Sequence, residues 1–137
     1  MELGDFADLN WLAVLVGALA YWLVGALWYS PVLFGKKWQA ITGITAENAG
    51  SPVATYLGSL IVMFLQVTAL AYLAHAIGVT EIVDALELGL GISVGFCALQ
   101  LLLNQLYEKR SRELLAINAG YAIVGLTIAS VIVVLWD

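Results

Sequence analysis

Apolar residues in this chain run on rather than alternate. Four stretches, residues 9–28, 53–76, 82–106 and 114–135, are apolar around nearly the whole helical circumference. A helix needs roughly 20 mostly apolar residues to cross about 30 Å of hydrocarbon, and each stretch meets that length. The polar positions collect in three short gaps and at the two ends. The pattern predicts an all-α fold: a four-helix transmembrane bundle forming one integral membrane domain over residues 1–137.

The gaps carry their own signals. Trp28-Tyr29-Ser30-Pro31 closes the first span: paired aromatics favour the membrane interface, and proline disfavours helix in the residue before it. Beyond it Phe34, Trp38 and Ile41 fall at i, i+4, i+7 with Lys36 and Lys37 off that stripe, which predicts a short interfacial helix with lysines reaching toward headgroups. Ser51-Pro52 reads as an N-cap and first helical residue. Around the tight second gap, Gly78-Val79-Thr80, Thr80 is the expected cap of the third span. Glu81 and Asp84 suit that span's positive N-terminal end. Short connections make sequential helices antiparallel neighbours. The two halves would run parallel, but no motif recurs between them.

Composition strengthens the membrane reading. Of 137 residues, 63% are hydrophobic and 11% charged, against roughly 45–50% and about 25% in soluble domains. Too few charges remain to coat a soluble bundle. The net charge of −5 argues against nucleic acid as a partner, since that needs a basic face. The five basic residues sit in two gaps only: Lys36 and Lys37 in the first, Lys109, Arg110 and Arg112 in the third. Short loops rich in Lys and Arg stay cytoplasmic. The expected topology is therefore a multi-pass protein of the plasma membrane, both termini outside, loops 29–52 and 107–113 inside. Glu2, Asp5, Asp8, Glu81, Asp84, Glu87 and Asp137 then lie toward the outside. The start, Met1-Glu2-Leu3-Gly4-Asp5, lacks the positive segment of a signal peptide, so the first span is expected to remain as an anchor. A single cysteine, Cys97, excludes an internal disulfide.

Candidate chemistry is sparse. Gly91-x-x-x-Gly95 in the third span, and Gly17 and Gly25 flanking Tyr21 in the first, permit close helix packing, within the chain or between copies. On the third helix Ser93, Cys97, Gln100 and Asn104, spaced i, i+4, i+7, i+11, share one side. Amides are costly in lipid, so that side is expected either to make interhelical hydrogen bonds or to line a polar path. Gln66 and His75 on the second span are further candidates, Thr68, Tyr72 and His75 sharing a face. His75 reads as an interfacial hydrogen-bonder, a proton-relay residue or a cofactor ligand. A metal site normally recruits more than one histidine or cysteine per chain, so only a symmetric oligomer is expected to build one here. Glu87 is the deepest carboxylate; with Glu81 and Asp84 it could meet a cation or simply form a solvated helix start. Asn118, Tyr121 and Gly125 share a face of the fourth span, where Asn118 could meet Gln100 and Asn104. No Ser/His/Asp set, HExxH or phosphate-binding glycine loop occurs, so no catalytic residue, enzyme activity or cofactor is expected.

The run Gly25-Ala26-Leu27-Trp28-Tyr29-Ser30-Pro31-Val32-Leu33-Phe34-Gly35-Lys36-Lys37-Trp38, then Thr42-Gly43, resembles the signature of a bacterial and archaeal membrane family, domain of unknown function 1761, in which WYSP-x-x-FGK-x-W follows the first helix. Asn10-Trp11 and Gly120-Tyr121 extend the resemblance over nearly the whole chain. It implies four spans of this length and brings no established activity or site residues. Read physically, Trp28, Tyr29 and Trp38 anchor at one headgroup level, Pro31 and Gly35 turn the chain, and Lys36 and Lys37 meet anionic lipid. The motif is then either a structural turn or a headgroup site.

Three functions fit these residues. A homo-oligomeric channel or permease for a small solute or ion leads, because one polar helix face belongs to a chain too small to enclose a path alone. A structural or accessory subunit of a larger membrane complex is the alternative. A redox protein ligating a cofactor through His75 comes third.

Overall fold

The computed structural model describes residues 3–45 and 47–136. Glu2 and Asp137, two of the acids assigned to the outer side, lie outside the described residues. Every regular element among them is helical. A 3-10 helix, Leu3–Asp8, precedes α1 (Trp11–Trp28), α2 (Gly35–Thr42), α3 (Pro52–Ile77), α4 (Ile82–Glu108) and α5 (Arg112–Leu135). Helices α1, α3, α4 and α5 are each long and apolar enough to cross a membrane. They match the four predicted stretches to within two residues at each end. The short α2 carries Phe34, Trp38 and Ile41 half-buried while Lys36, Lys37, Gln39 and Ala40 stay exposed, as the stripe predicted.

Local chemistry sets the helix ends. Asn10 accepts a hydrogen bond from the Ala13 amide at 3.2 Å to start α1. Ser51 does the same for Ala54 at 3.3 Å, with Pro52 opening α3. Ser111 accepts from the Glu113 amide at 3.1 Å to start α5. Thr80 does not cap α4; the N-cap is Glu81, with no side-chain bond. The tight turn after Gly78, whose φ is +76°, puts the helix start one residue later. Gly78 ends α3 in the left-handed conformation that glycine adopts without strain.

The lateral order differs from simple sequential pairing. Helix α5 lies at the centre, with α1 along one side and α4 along another; α3 packs mainly on α1. Helices α3 and α4 scarcely touch, although a tight turn joins them. The cause is the surface of α5, where Gly120, Ala122, Gly125, Ala129 and Ser130 leave room for two close neighbours. Half of the apolar window of α5 is buried, against 11% for α4. The core is therefore the α1–α3–α5 contact, filled by Val14, Ala18, Tyr21, Val67, Leu70 and Leu126.

Glycines confirm where backbones approach. A Cβ on Gly17 would meet Val67 at 3.1 Å and Val133 at 3.4 Å, and one on Gly25 would meet the Tyr121 hydroxyl at 2.7 Å. Gly91 and Gly95, which could pack within the chain or between copies, face open space. The small residues of α4 that do pack are Ala85, Gly89 and Ser93, at i, i+4, i+8, all buried. Gly89 lies against Thr127 and Ser130 of α5, and the Ser130 hydroxyl donates to the Ala85 carbonyl at 2.7 Å.

Candidate functional site

The aromatic motif closes on itself. The Trp28 indole N–H donates to the Ile117 carbonyl of α5 at 2.9 Å, and its ring lies over Gly120. The Tyr29 hydroxyl donates to Asn118 Oδ1 at 2.7 Å; burial pushes this phenol up to about 12, so it stays a donor. Ser30 donates to the Leu27 carbonyl at 2.6 Å, and its own carbonyl accepts from the amides of Leu33 and Gly35 at 3.1 and 2.9 Å. Gly35 is wedged on the Tyr29 and Ser30 backbone, where no Cβ fits. Rings of Phe34 and Trp38 pack on Trp28 and Tyr29 at 4.9 and 6.0 Å. The motif thus clamps the end of α1, the interfacial helix and the start of α5 together. The polar side-chain atoms of Trp28, Tyr29 and Ser30 are spent inside the clamp. Pro31, Lys36 and Lys37 remain exposed; Lys37 meets Glu113 at 3.9 Å.

Above the clamp, α1 and α5 interlock through a reciprocal pair. Tyr21 sits over Gly125, and Tyr121 sits over Gly25. The two rings are 5.0 Å apart, and the Tyr121 hydroxyl donates to the Tyr21 carbonyl at 2.8 Å.

The polar side of α4 is split. Residues Ser93–Ala98 form a π turn. Such a turn closes at i→i+5, takes up one extra residue, and rotates the remainder of the helix by about 100° relative to an unbroken one. Ser93, at the start of the turn, continues the inward Ala85–Gly89 face and is fully buried, its hydroxyl donating to the Leu90 carbonyl at 3.4 Å. Cys97 is half-buried. Gln100 and Asn104 swing outward, exposed, and bond to each other at 3.3 Å. The single face drawn through Ser93, Gln100 and Asn104 does not exist. The outward half of α4 instead presents Glu87, Gly91, Gly95 and Gln100, with Asn104 at its edge beside α5, all exposed. Gln66 is exposed on α3, a helix that barely reaches α4, so it does not join this face.

Asn118 turns to Tyr29 rather than to Gln100. It does share a cavity of about 200 Å³ with Asn104, Gln105, Glu108, Arg110 and Ser111, between α4 and α5 at the lysine–arginine end. Gln105 donates to the Arg110 carbonyl there at 2.9 Å, and Arg110 pairs with Glu108 at 3.0 Å.

At the opposite end His75 is exposed in the last turn of α3. Asp5 and Asp8 of the 3-10 helix join it, the three donor atoms lying within 4.8 Å of one another. In sequence His75 stands alone. The Asp5–Asp8 spacing of three is visible there, but nothing in hydropathy announces a 3-10 helix folding back onto α3. Glu81, Asp84 and Glu87 are not gathered in this way.

Four helices long and apolar enough to cross a membrane mark this as a small multi-pass membrane protein. The chain belongs to the family described as Protein of unknown function (DUF1761), whose model matches residues 12–134. No curated protein and no solved structure matches it.

Proposed function

We propose that this protein is a homo-oligomeric channel or permease for a small solute or ion, with copies meeting along the outward face of α4. The observation that carries the reading is the exposed Gln100–Asn104 pair. Gln100 lies eight residues before the end of α4, about 12 Å in along the helix, where amides are unfavourable against lipid. Gly91 and Gly95 on the same open half would let a second backbone approach. Copies arranged this way would enclose the amides and bring Glu87 toward the far mouth. The role is passage rather than catalysis, and the lysine–arginine end is assigned to the cytoplasm.

The test combines mass and flux. Native mass spectrometry of protein released gently from its own membrane is expected to give a multiple of 14.7 kDa. In liposomes, Gln100→Leu with Asn104→Leu should abolish flux of the permeant solute, and Gly91→Ile should return the protein to a folded monomer. A monomeric wild type, or flux unchanged by the double substitution, overturns the proposal. A second, larger protein in the released particle would favour the accessory-subunit reading instead.

A further inference from the structure

We infer that His75, Asp5 and Asp8 bind one divalent first-row transition ion, zinc being the reference case, at the end of the bundle opposite the lysines and arginines. The site is independent of the path between copies proposed above.

Two segments nearly seventy residues apart in sequence supply the donors, and other contacts hold them together. The Phe6 ring stacks on Tyr72 at 4.3 Å with an interplanar angle of 12°. Tyr72 lies one turn before His75 on α3, so this stack sets the 3-10 helix beside the imidazole. Leu9 is buried in the core just beyond, and the Asn10 amide donates to the Trp136 carbonyl at 2.6 Å. A 3-10 helix has three residues per turn, so side chains at i and i+3 eclipse; Asp5 and Asp8 therefore present their carboxylates on one side.

The donor set selects the ligand. Imidazole with two carboxylates suits zinc and its neighbours, whereas thiolate ligands would be needed for copper(I) or an iron–sulfur cluster. Calcium takes six to eight oxygens, which this site does not supply. The same set argues against haem, which would leave both aspartates unused. Tetrahedral zinc holds its donors about 3.3 Å apart. Donors already within 4.8 Å need to close by at most about 1.5 Å, within reach of side-chain rotation. Three protein donors leave a fourth position for water. A cavity of about 30 Å³ lined by Asp8, Asn10 and His75 lies alongside, room for about one water. Every lysine and arginine lies in the 36–37 and 109–112 segments, at the other end of the bundle.

The test uses the full chain, without a histidine tag, in lipid nanodiscs. Titration with Zn²⁺ alone is expected to give one ion per chain. X-ray absorption of the loaded protein should show one imidazole with oxygen donors. His75→Ala and Asp8→Asn should each weaken binding at least tenfold. Both positions are exposed, so thermal unfolding of the metal-free variants should match wild type. Asp84→Asn should leave the affinity unchanged. Absence of binding up to millimolar Zn²⁺, or wild-type affinity in His75→Ala, overturns the inference. So does an Asp84→Asn loss equal to that of Asp8→Asn, which would move the ion to the general acidic surface.

Discussion

Gly25 and Gly125 are each faced by a tyrosine of the other helix, while Gly91 and Gly95 face nothing. In sequence the four look alike: glycines inside apolar helices with another small or aromatic residue one turn away. Tyr21 and Tyr121 do lie on the faces of their neighbouring glycines, as expected, because helical period alone fixes that. Which of two small-residue stripes on α4 turns inward is a different matter. Ala85-x-x-x-Gly89-x-x-x-Ser93 and Gly91-x-x-x-Gly95 are equally plain, and only the shape of α5 chooses between them. The consequence is a ranking of substitutions. Gly35→Ala would drive a Cβ into backbone that cannot yield, and Gly125→Ala into the Tyr21 ring, so losses of about 1–3 kcal/mol or more are expected. Gly91→Ala and Gly95→Ala should leave the monomer within about 0.5 kcal/mol of wild type. Reversible unfolding of monomeric protein in mixed micelles checks the order; equal losses at all four positions would contradict it.

Among the elements, the ends proved more readable than the interior. Ser51-Pro52 and the Phe34/Trp38/Ile41 stripe carry local signals whose physics is complete within a few residues. The π turn in α4 does not. A helix that is apolar all round tolerates an extra residue without changing its hydropathy, so nothing in the pattern marks where Ser93–Ala98 widens. The inserted residue explains why Gln100 and Asn104 part company with Ser93. It also makes a sharp prediction. Deleting Phe96, which is 73% exposed, should close the turn to a regular α-helix with both halves of α4 still facing as they do now. The shortened protein should unfold within a few degrees of wild type. Deleting Val124 from the regular α5 should instead throw Gly125 and Ser130 out of register and prevent folding. Thermal unfolding in detergent distinguishes the two; failure of the Phe96 deletion to fold would show that the turn itself is required.

At the scale of the whole molecule, span number and length followed from hydropathy, but lateral order did not. Connections of a few residues are compatible with several arrangements of four rods, and here packing on α5 outweighs the tie between α3 and α4. Charge distribution predicts a direction for the molecule that packing does not. With Cys97 replaced by alanine, a cysteine introduced at Glu108 or Glu113 should resist an impermeant thiol reagent added outside intact cells and react after permeabilisation. One at Asp84 should react at once. The reverse pattern would invert the assigned topology.

The central position of α5 also has a consequence in time. It is the last of the four spans to be synthesised, yet the clamp, the reciprocal tyrosines and the seat of α4 all need it. Tyr21 waits for Gly125, roughly one hundred residues later, or about 5–20 seconds at ordinary rates of translation. Until then α1 holds an open notch in the bilayer with its partner still unmade, and a ribosome that stops short of α5 leaves three helices with no keystone.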